Sequence, residues 1–282
     1  MVPRALQVGG TLLKHVGVGL VVAVAVAAPW SALVVLNVRY SPRVPWAIPA
    51  GIAYACLAMA YLNGSGWPRS TSALRRRSFR AQPLVLAQFN WALLAGLTGV
   101  ASLWLFYAAS GYLTAQPRGS FQGNWPPVVI GTAVIIGAAV TAVAEEGGFR
   151  GFMQAPLERL FGPAPAIAIT SLFFVLFHLS HGLAVLARNG PFYLAAGCVY
   201  GLLAYLTQSI LPSVLLHFLG DILAFGLGSS LVHLTSPRAV GARASLVLSA
   251  LVVACVSGAA FVRLARLAAS TRSRLGAQGA AA

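Results

Sequence analysis

The sequence predicts an all-α integral membrane protein, a bundle of about eight transmembrane helices with a polar site inside it. Hydrophobic residues make up 59% of the 282 residues and charged residues only 8%. The mean hydropathy of +0.82 lies far above that of soluble domains. Apolar stretches of about 20 residues, the length that crosses a hydrocarbon core of about 30 Å, recur along the chain. Two adjacent glutamates, Glu145 and Glu146, adjoin one of them.

Eight apolar stretches are the predicted membrane spans, and the sixth and seventh are separated by a very short turn. The segment 268–282 is small, polar and basic, so we expect a disordered tail. Residues 1–282 are expected to form a single integral membrane domain. The predicted spans are residues 16–38, 44–63, 84–110, 128–150, 165–187, 192–209, 211–228 and 245–262.

The basic residues lie at the ends of the apolar stretches, where they orient membrane helices. A net charge of +15 would suggest nucleic acid as the partner of a soluble protein, but the chain has no soluble basic domain. We therefore expect the lipid bilayer as partner and no nucleic acid. The second connection between spans is rich in arginine, which predicts that it lies in the cytoplasm. Its arginines are Arg69, Arg75, Arg76, Arg77 and Arg80.

This topology puts both termini in the cytoplasm, with thirteen of the 19 Lys and Arg residues inside and six outside. Eighteen of the 19 are arginine, and alanine is abundant, which is typical of a GC-rich genome. We therefore expect a multi-pass protein of a bacterial cytoplasmic membrane.

The chain contains only four acidic residues: Glu145, Glu146, Glu158 and Asp221. Carboxylates within membrane segments are expensive and usually functional. On an α-helix Glu146 and Arg150 are four residues apart and can pair, whereas Glu145 is turned by about 100° from Glu146. We predict that Arg150 holds Glu146 and that Glu145 is the base. The alternative is that both glutamates mark the aqueous end of a helix.

A helical hairpin relates Glu145 to a histidine on the next span. Gly162-Pro163 is a turn signal, with Glu145 seventeen residues before Gly162 and His178 sixteen after it. If the flanking helices are antiparallel, Glu145 and His178 lie at one depth. His181 could be a third site residue but is expected to bond to loop backbone, and a lone buried histidine can also be a hydrogen-bonded core residue.

The seventh span contributes His217 and Asp221, which are one helical turn apart and share a face. His217 lies about 10 Å along this span from its start, which agrees with the depth of Glu145. Three carboxylates and two histidines are thus expected to converge in the membrane. They are Glu145, Glu146, Asp221, His178 and His217.

Two histidines and a free carboxylate in an apolar cavity can activate water in two ways. His178, His217 and Glu145 can bind zinc, with an open position at which water is acidified. Alternatively, Glu145 takes the proton directly while the histidines polarise the attacked carbonyl. Both alternatives predict hydrolysis of an amide bond inside the membrane, and the residues leave the choice open.

Three motifs follow in order on successive spans: Glu145-Glu146-x-x-x-Arg150, Phe174-x-x-x-His178 and His217-x-x-x-Asp221. Together they resemble the motifs of the CPBP family of intramembrane proteases, which includes CAAX prenyl proteases and bacteriocin-processing proteins. The resemblance covers about residues 128–225. It implies an intramembrane endopeptidase, either a metalloprotease or a glutamate-dependent protease, acting on a membrane-associated peptide or protein.

The resemblance also implies roles for the motif residues. Glu145 would activate water with His178, supported by Glu146, Arg150 and the motif residue Phe174. His217 and Asp221 would stabilise the oxyanion or hold a metal.

The motifs depart from the family pattern at two places. Gly147-Gly148 stands where larger apolar residues are usual, which should loosen the helix by about 1 kcal/mol per glycine relative to alanine. Asp221 stands where asparagine is common, and an ionised aspartate cannot donate a hydrogen bond to an oxyanion. This favours a role for Asp221 near a metal, in orienting His217, or in protonated form.

Two further functions fit the same polar cluster. A non-catalytic membrane scaffold or chaperone partner could use it to hold helices together. A transporter could use Glu145, His178 and Asp221 as a proton or ion relay.

Overall fold

The computed structural model describes residues 4–41, 44–111, 126–228 and 239–280, which are predominantly helical and include no β-strand. The predicted all-α membrane bundle is confirmed. In chain order the helices are α1 (Arg4–Tyr40), α2 (Ala47–Leu62), α3 (Ser72–Phe79), α4 (Leu86–Ala109), α5 (Pro127–Glu145), a π-helical segment (Glu146–Gln154), α6 (Ala155–Phe161), α7 (Pro163–Phe177), a short 3-10 turn (His178–His181), α8 (Leu183–Thr207), α9 (Leu211–Gly228) and α10 (Val240–Ala280).

Within these residues, six helical stretches are long and apolar enough to cross a membrane, and two shorter ones are also apolar. The shorter ones are Ala47–Leu62 and Leu211–Gly226. Each of the eight predicted spans overlaps one of these stretches. The boundary between the fifth and sixth spans differs from the prediction, because the chain breaks at Gly182 and not between residues 187 and 192. Gly182 has φ +97°, a conformation that glycine adopts without steric penalty.

The C-terminal segment also differs from the prediction. Disorder is expected over residues 268–282, whereas α10 continues to Ala280. Alanine, which has the highest helix propensity, is the commonest residue of this segment. Residues 281 and 282 lie outside the described part of the chain.

α5, the π segment and α6 form one continuous helical stretch from Pro127 to Phe161. The π segment packs against α1, α3, α7, α8 and α9, so it lies in the middle of the bundle. At the end of the stretch Gly162 has φ +82°, and α7 starts with Pro163. The predicted turn is therefore confirmed. The rings of Phe149 and Phe174, thirteen residues before and twelve after Gly162, lie 5.5 Å apart, as expected for a helical hairpin.

The glycine pair of the π segment is explained by close packing. A Cβ atom on Gly148 would lie 2.6 Å from the Gly19 carbonyl oxygen of α1, and one on Gly147 would lie 3.0 Å from the Phe79 ring. The prediction that the pair loosens the helix agrees with the local change from α to π geometry. The same absence of side chains lets α1 and the end of α3 approach the helix that carries both glutamates.

Candidate active site

Four of the predicted site residues meet where α9 crosses the junction between α5 and the π segment. Glu145 ends α5, Glu146 begins the π segment, and His217 and Asp221 lie one turn apart on α9. The His217 imidazole is the centre of the group, because both of its nitrogens face carboxylates. Arg150, on the π segment, completes the cluster from the side of Glu146.

Glu146 is fully buried, with one oxygen in a hydrogen bond and the other in an ion pair. His217 Nδ1 lies 2.8 Å from Glu146 Oε1, so the imidazole donates a hydrogen bond to the carboxylate. Arg150 Nε lies 3.4 Å from Glu146 Oε2, and both side chains of this ion pair are inaccessible to solvent. The spacing that predicts this pair in an α-helix therefore also brings the two side chains together in the π segment.

Arg150 is held by α7 and α8 as well as by Glu146. Its Nη2 donates to the Gly197 carbonyl oxygen at 3.2 Å, and its guanidinium lies 4.6 Å from the centroid of the Phe174 ring. Four residues later, Gln154 Nε2 donates to the Gly201 carbonyl oxygen at 2.8 Å. A Cβ on Gly201 would lie only 2.9 Å from Gln154 Oε1, so glycine permits this approach.

The sequence reasoning missed Gln154 and both α8 glycines. The signal available was the shared spacing of four residues, between Arg150 and Gln154 on one helix and between Gly197 and Gly201 on the other.

Glu145 is less constrained than Glu146. It is 6% exposed, and its Oε2 lies 3.8 Å from His217 Nε2. Asp221 Oδ1 lies 3.6 Å from the same nitrogen. Both distances exceed hydrogen-bond length. One oxygen of each carboxylate, Glu145 Oε2, Glu146 Oε2 and Asp221 Oδ2, is buried and has no hydrogen-bond partner within the described residues.

His178 begins the 3-10 turn after α7, and its Nδ1 lies 2.8 Å from the Phe174 carbonyl oxygen. The Phe174 ring lies 4.9 Å from the His178 ring and 5.8 Å from the His217 ring. The imidazole that lies against Glu145 is thus that of His217, and His178 packs on the ring of Phe174. The ring of His181 lies 5.5 Å from that of His178.

Two tyrosines of α8 stack on the two histidines and were also missed. The Tyr193 and His178 rings are 4.0 Å apart with 27° between their planes. The Tyr200 and His217 rings are 5.3 Å apart with 16° between their planes. The seven-residue spacing of these tyrosines corresponds to two helical turns and was the available signal. Asn189 Nδ2 donates to Tyr193 Oη at 3.3 Å, which orients that ring.

The residues of the site do not converge as metal ligands. Among the described residues, no group of three His, Cys, Asp or Glu side chains is arranged to hold a metal ion. In the predicted zinc set of His178, His217 and Glu145, the Phe174 ring contacts the rings of both histidines. The zinc set stays a prediction, and we derive no chemical step through a metal.

Comparison with known families gives one match to this region. The family model described as type II CAAX prenyl endopeptidase Rce1-like matches residues 124–223. This segment spans α5 to most of α9 and contains all the residues of the polar cluster. Searches of curated proteins and of solved structures give no match.

Proposed function

The chain belongs to the CPBP family of intramembrane CAAX proteases, and on this premise we propose that Glu145 is the base that activates water for cleavage of a peptide bond. The substrate is a membrane-associated peptide or protein. The observation that carries this proposal is the contrast between the two adjacent glutamates. Glu146 accepts a 2.8 Å hydrogen bond from His217 and pairs with Arg150 at 3.4 Å, whereas Glu145 lies 3.8 Å from His217 Nε2 and forms no ion pair with an arginine among the described residues.

In the proposed reaction, water lies to one side of Glu145 Oε2 and His217 Nε2, which are 3.8 Å apart, and hydrogen-bonds to both. Glu145 removes one proton while the water oxygen attacks the carbonyl carbon of the scissile bond. The tetrahedral intermediate then collapses, and Glu145 returns the proton to the nitrogen of the leaving amine. Each atom and proton is supplied by the water, the substrate or Glu145.

His217 is proposed to orient the water and not to act as the base. Its Nδ1 proton is donated to Glu146, so in a neutral imidazole Nε2 carries the lone pair and can accept a hydrogen bond from the water. Asp221 Oδ1 lies 3.6 Å from Nε2 on the same helix, and we propose that Asp221 is protonated, because an ionised carboxylate and the Nε2 lone pair are both acceptors. Glu146 and Arg150 are then positioning residues that act through His217.

His178 is proposed to bind the substrate backbone. Its Nδ1 proton is donated to the Phe174 carbonyl oxygen, which leaves Nε2 as an acceptor for a peptide N–H group. The stacked Tyr193 ring holds the imidazole in that orientation. This role differs from the one that the family resemblance implies, in which His178 activates water together with Glu145.

We further propose that the site lies in a bacterial cytoplasmic membrane with both termini in the cytoplasm. The arginines of the segment between α2 and α4 support this orientation through the positive-inside rule. Reporter fusions to the C-terminus test it, and a reporter that is active only outside the cytoplasm should stay silent.

The test is peptide cleavage by the full-length protein in liposomes, with a fluorogenic peptide library as substrate. Glu145→Gln should lower kcat by about 10²- to 10⁴-fold, the usual contribution of a general base. Unchanged thermal stability of Glu145→Gln in detergent is the control for folding, because Glu158, the carboxylate outside the polar cluster, is itself paired with the buried Arg80. Hydrolysis by Glu145→Gln at close to the wild-type rate would disprove the assignment. Ion flux through the same liposomes without any hydrolysis would favour a transporter.

A further inference from the structure

A second polar pocket, of about 350 Å³, lies at the other end of the stretch that carries the active-site glutamates. The continuous helical stretch separates the pocket from the site, since Glu158 follows Glu146 by twelve residues, which is more than two helical turns. The pocket is therefore separate from the proposed active site. It is lined by α3, the segment after α3, α6 and the residue after α8, and the lining residues are Arg77, Arg80, Gln82, Ala155, Glu158, Arg159 and Gln208.

The lining carries three arginines and one glutamate, a net charge of +2. The glutamate, Glu158, forms a bidentate ion pair with Arg80, whose Nη1 and Nη2 each lie 3.2 Å from one of its oxygens. Arg80 is 6% exposed and also donates to the Ala204 carbonyl oxygen at 3.3 Å. Arg77 and Arg159, both exposed, thus bring positive charge that no other carboxylate of the lining balances.

The pocket lies where two helices end. Arg80 (φ +56°) and Gln208 (φ +55°) are the left-handed C-terminal caps of α3 and α8, and they are the non-glycine residues with positive φ in the described chain. Glycine is usual at such caps, so Arg80 and Gln208 place side chains at the pocket where glycine would leave none. Two hydrogen bonds connect the segment after α3 to the segment after α8. Ile210 N donates to the Arg80 carbonyl oxygen at 3.0 Å, and Ser209 Oγ donates to the Gln82 carbonyl oxygen at 2.6 Å.

We propose that this pocket binds the phosphate of an anionic phospholipid headgroup. Arginine forks match phosphate geometry, and the cytoplasmic leaflet, to which the proposed topology assigns the pocket, is rich in anionic lipids. Leu160 and Val85 follow pocket residues in sequence by one and three positions and are 49% and 67% exposed. Such apolar side chains can contact the acyl chains of a phospholipid, whereas free phosphate has no acyl chains to contact. Topology alone accounts for exposed arginines, but not for a pocket built around a buried one.

Headgroup binding should stabilise the active-site end of the molecule as well. Ile210, which is bonded to Arg80, directly precedes α9, and α9 carries His217. The pocket therefore joins α3 and α6 to the base of α9. The inference does not depend on proteolysis, so it can fail or succeed independently of the proposed function.

The experiment measures binding of dioctanoyl phosphatidylglycerol to the delipidated full-length protein in detergent, with thermal stability as a second readout. The variant Arg77→Gln with Arg159→Gln removes two pocket charges and leaves the pair of Arg80 and Glu158 intact. Binding should weaken about 30-fold, from about 1 kcal/mol per basic residue. The control, Arg69→Gln with Arg76→Gln, removes two exposed charges of the same region outside the lining and should change binding less than about threefold.

Equal weakening in both double variants would overturn the proposal, because the attraction would then be general and not local. If inorganic phosphate saturates the pocket and phosphatidylglycerol adds nothing, the ligand is free phosphate and the lipid assignment fails. If the pocket variant keeps lipid binding but raises KM for peptides with a free C-terminal carboxylate, the pocket belongs to the substrate. Should that variant not fold, the wild type decides: phosphatidylglycerol must bind at least tenfold tighter than dioctanoyl phosphatidylcholine, whose headgroup has no net charge, and equal binding refutes the proposal.

Discussion

Replacing Arg150 with methionine should strongly reduce the stability of the folded protein. The substitution keeps an unbranched side chain of similar length but leaves the Glu146 carboxylate fully buried with His217 as its remaining partner. Breaking a buried ion pair by removing one member costs about 3–5 kcal/mol in proteins. That range includes the lost hydrogen bond to the Gly197 carbonyl oxygen and the lost contact with the Phe174 ring.

The average polar interaction between membrane helices contributes only about 0.6 kcal/mol, so the two magnitudes separate two explanations. A loss of about 3–5 kcal/mol means that Arg150 neutralises a buried carboxylate. A loss near 0.6 kcal/mol means that it is one of many weak polar contacts. The absence of solvent access at either side chain favours the larger value.

The measurement is reversible unfolding in mixed micelles by titration with a denaturing detergent. Four proteins form a double-mutant cycle: wild type, Arg150→Met, Glu146→Gln and the double variant. The double variant should be more stable than the sum of the single effects predicts, because it no longer buries an unpaired charge. Arg76→Met, at an exposed position of α3, is the control and should lie within about 0.5 kcal/mol of wild type. Additive effects, with Arg150→Met near 0.6 kcal/mol, would refute the view that Arg150 holds Glu146.

Three further predictions concern packing, the histidine stack and metal. Gly148→Ala should destabilise the fold by about 1–3 kcal/mol, because its Cβ would lie 2.6 Å from a backbone oxygen of α1. Gly131→Ala has nothing within 4 Å and should instead stabilise α5, as unfolding in micelles would record. Tyr193→Leu should lower kcat/KM two- to tenfold through loss of the stack on His178, and Tyr193→Phe should restore it. A zinc chelator should leave cleavage unchanged, because the described residues do not converge as metal ligands; loss of cleavage that added zinc reverses would contradict this.

Features set by short-range spacing could be predicted from the sequence. The apolar stretches, the turn at Gly162 and the pairing of Glu146 with Arg150 each depend on composition or on residues within one helical turn. The depth at which α5 and α7 meet also follows from counting, as the contact of Phe149 with Phe174 confirms. These properties need no knowledge of how one helix is rotated against another.

Rotation about the helix axis could not be predicted in this way, and it decides which histidine lies beside Glu145. Counting residues puts His178 at the depth of Glu145 but does not tell which way its ring points. The rotation of α9 is fixed by long-range packing, since Leu216 Cδ1 lies only 2.0 Å from where a Cβ on Gly96 of α4 would be. Because Leu216 fills the space beside Gly96, the adjacent His217 is directed at the glutamates. No local pattern relates Gly96 to Leu216, which are far apart in sequence.

The π segment explains why one prediction made for an α-helix agrees with the structure although the geometry changed. Hydrogen bonds in an α-helix close after four residues and in a π-helix after five. A separation of four residues is therefore close to one full turn in both, and the side chains of Glu146 and Arg150 meet in either geometry. Beyond one turn the two helices fall out of phase, so the faces of later residues cannot be assigned from α-helical periodicity. Glu145, which precedes the change, and Glu158, which follows it, thus belong to differently oriented faces, one directed at His217 and the other at Arg80. Gly147 and Gly148, where α1 and α3 pack closely, lie at the start of this π segment. The change of helix geometry thus lies between the active site and the second polar pocket.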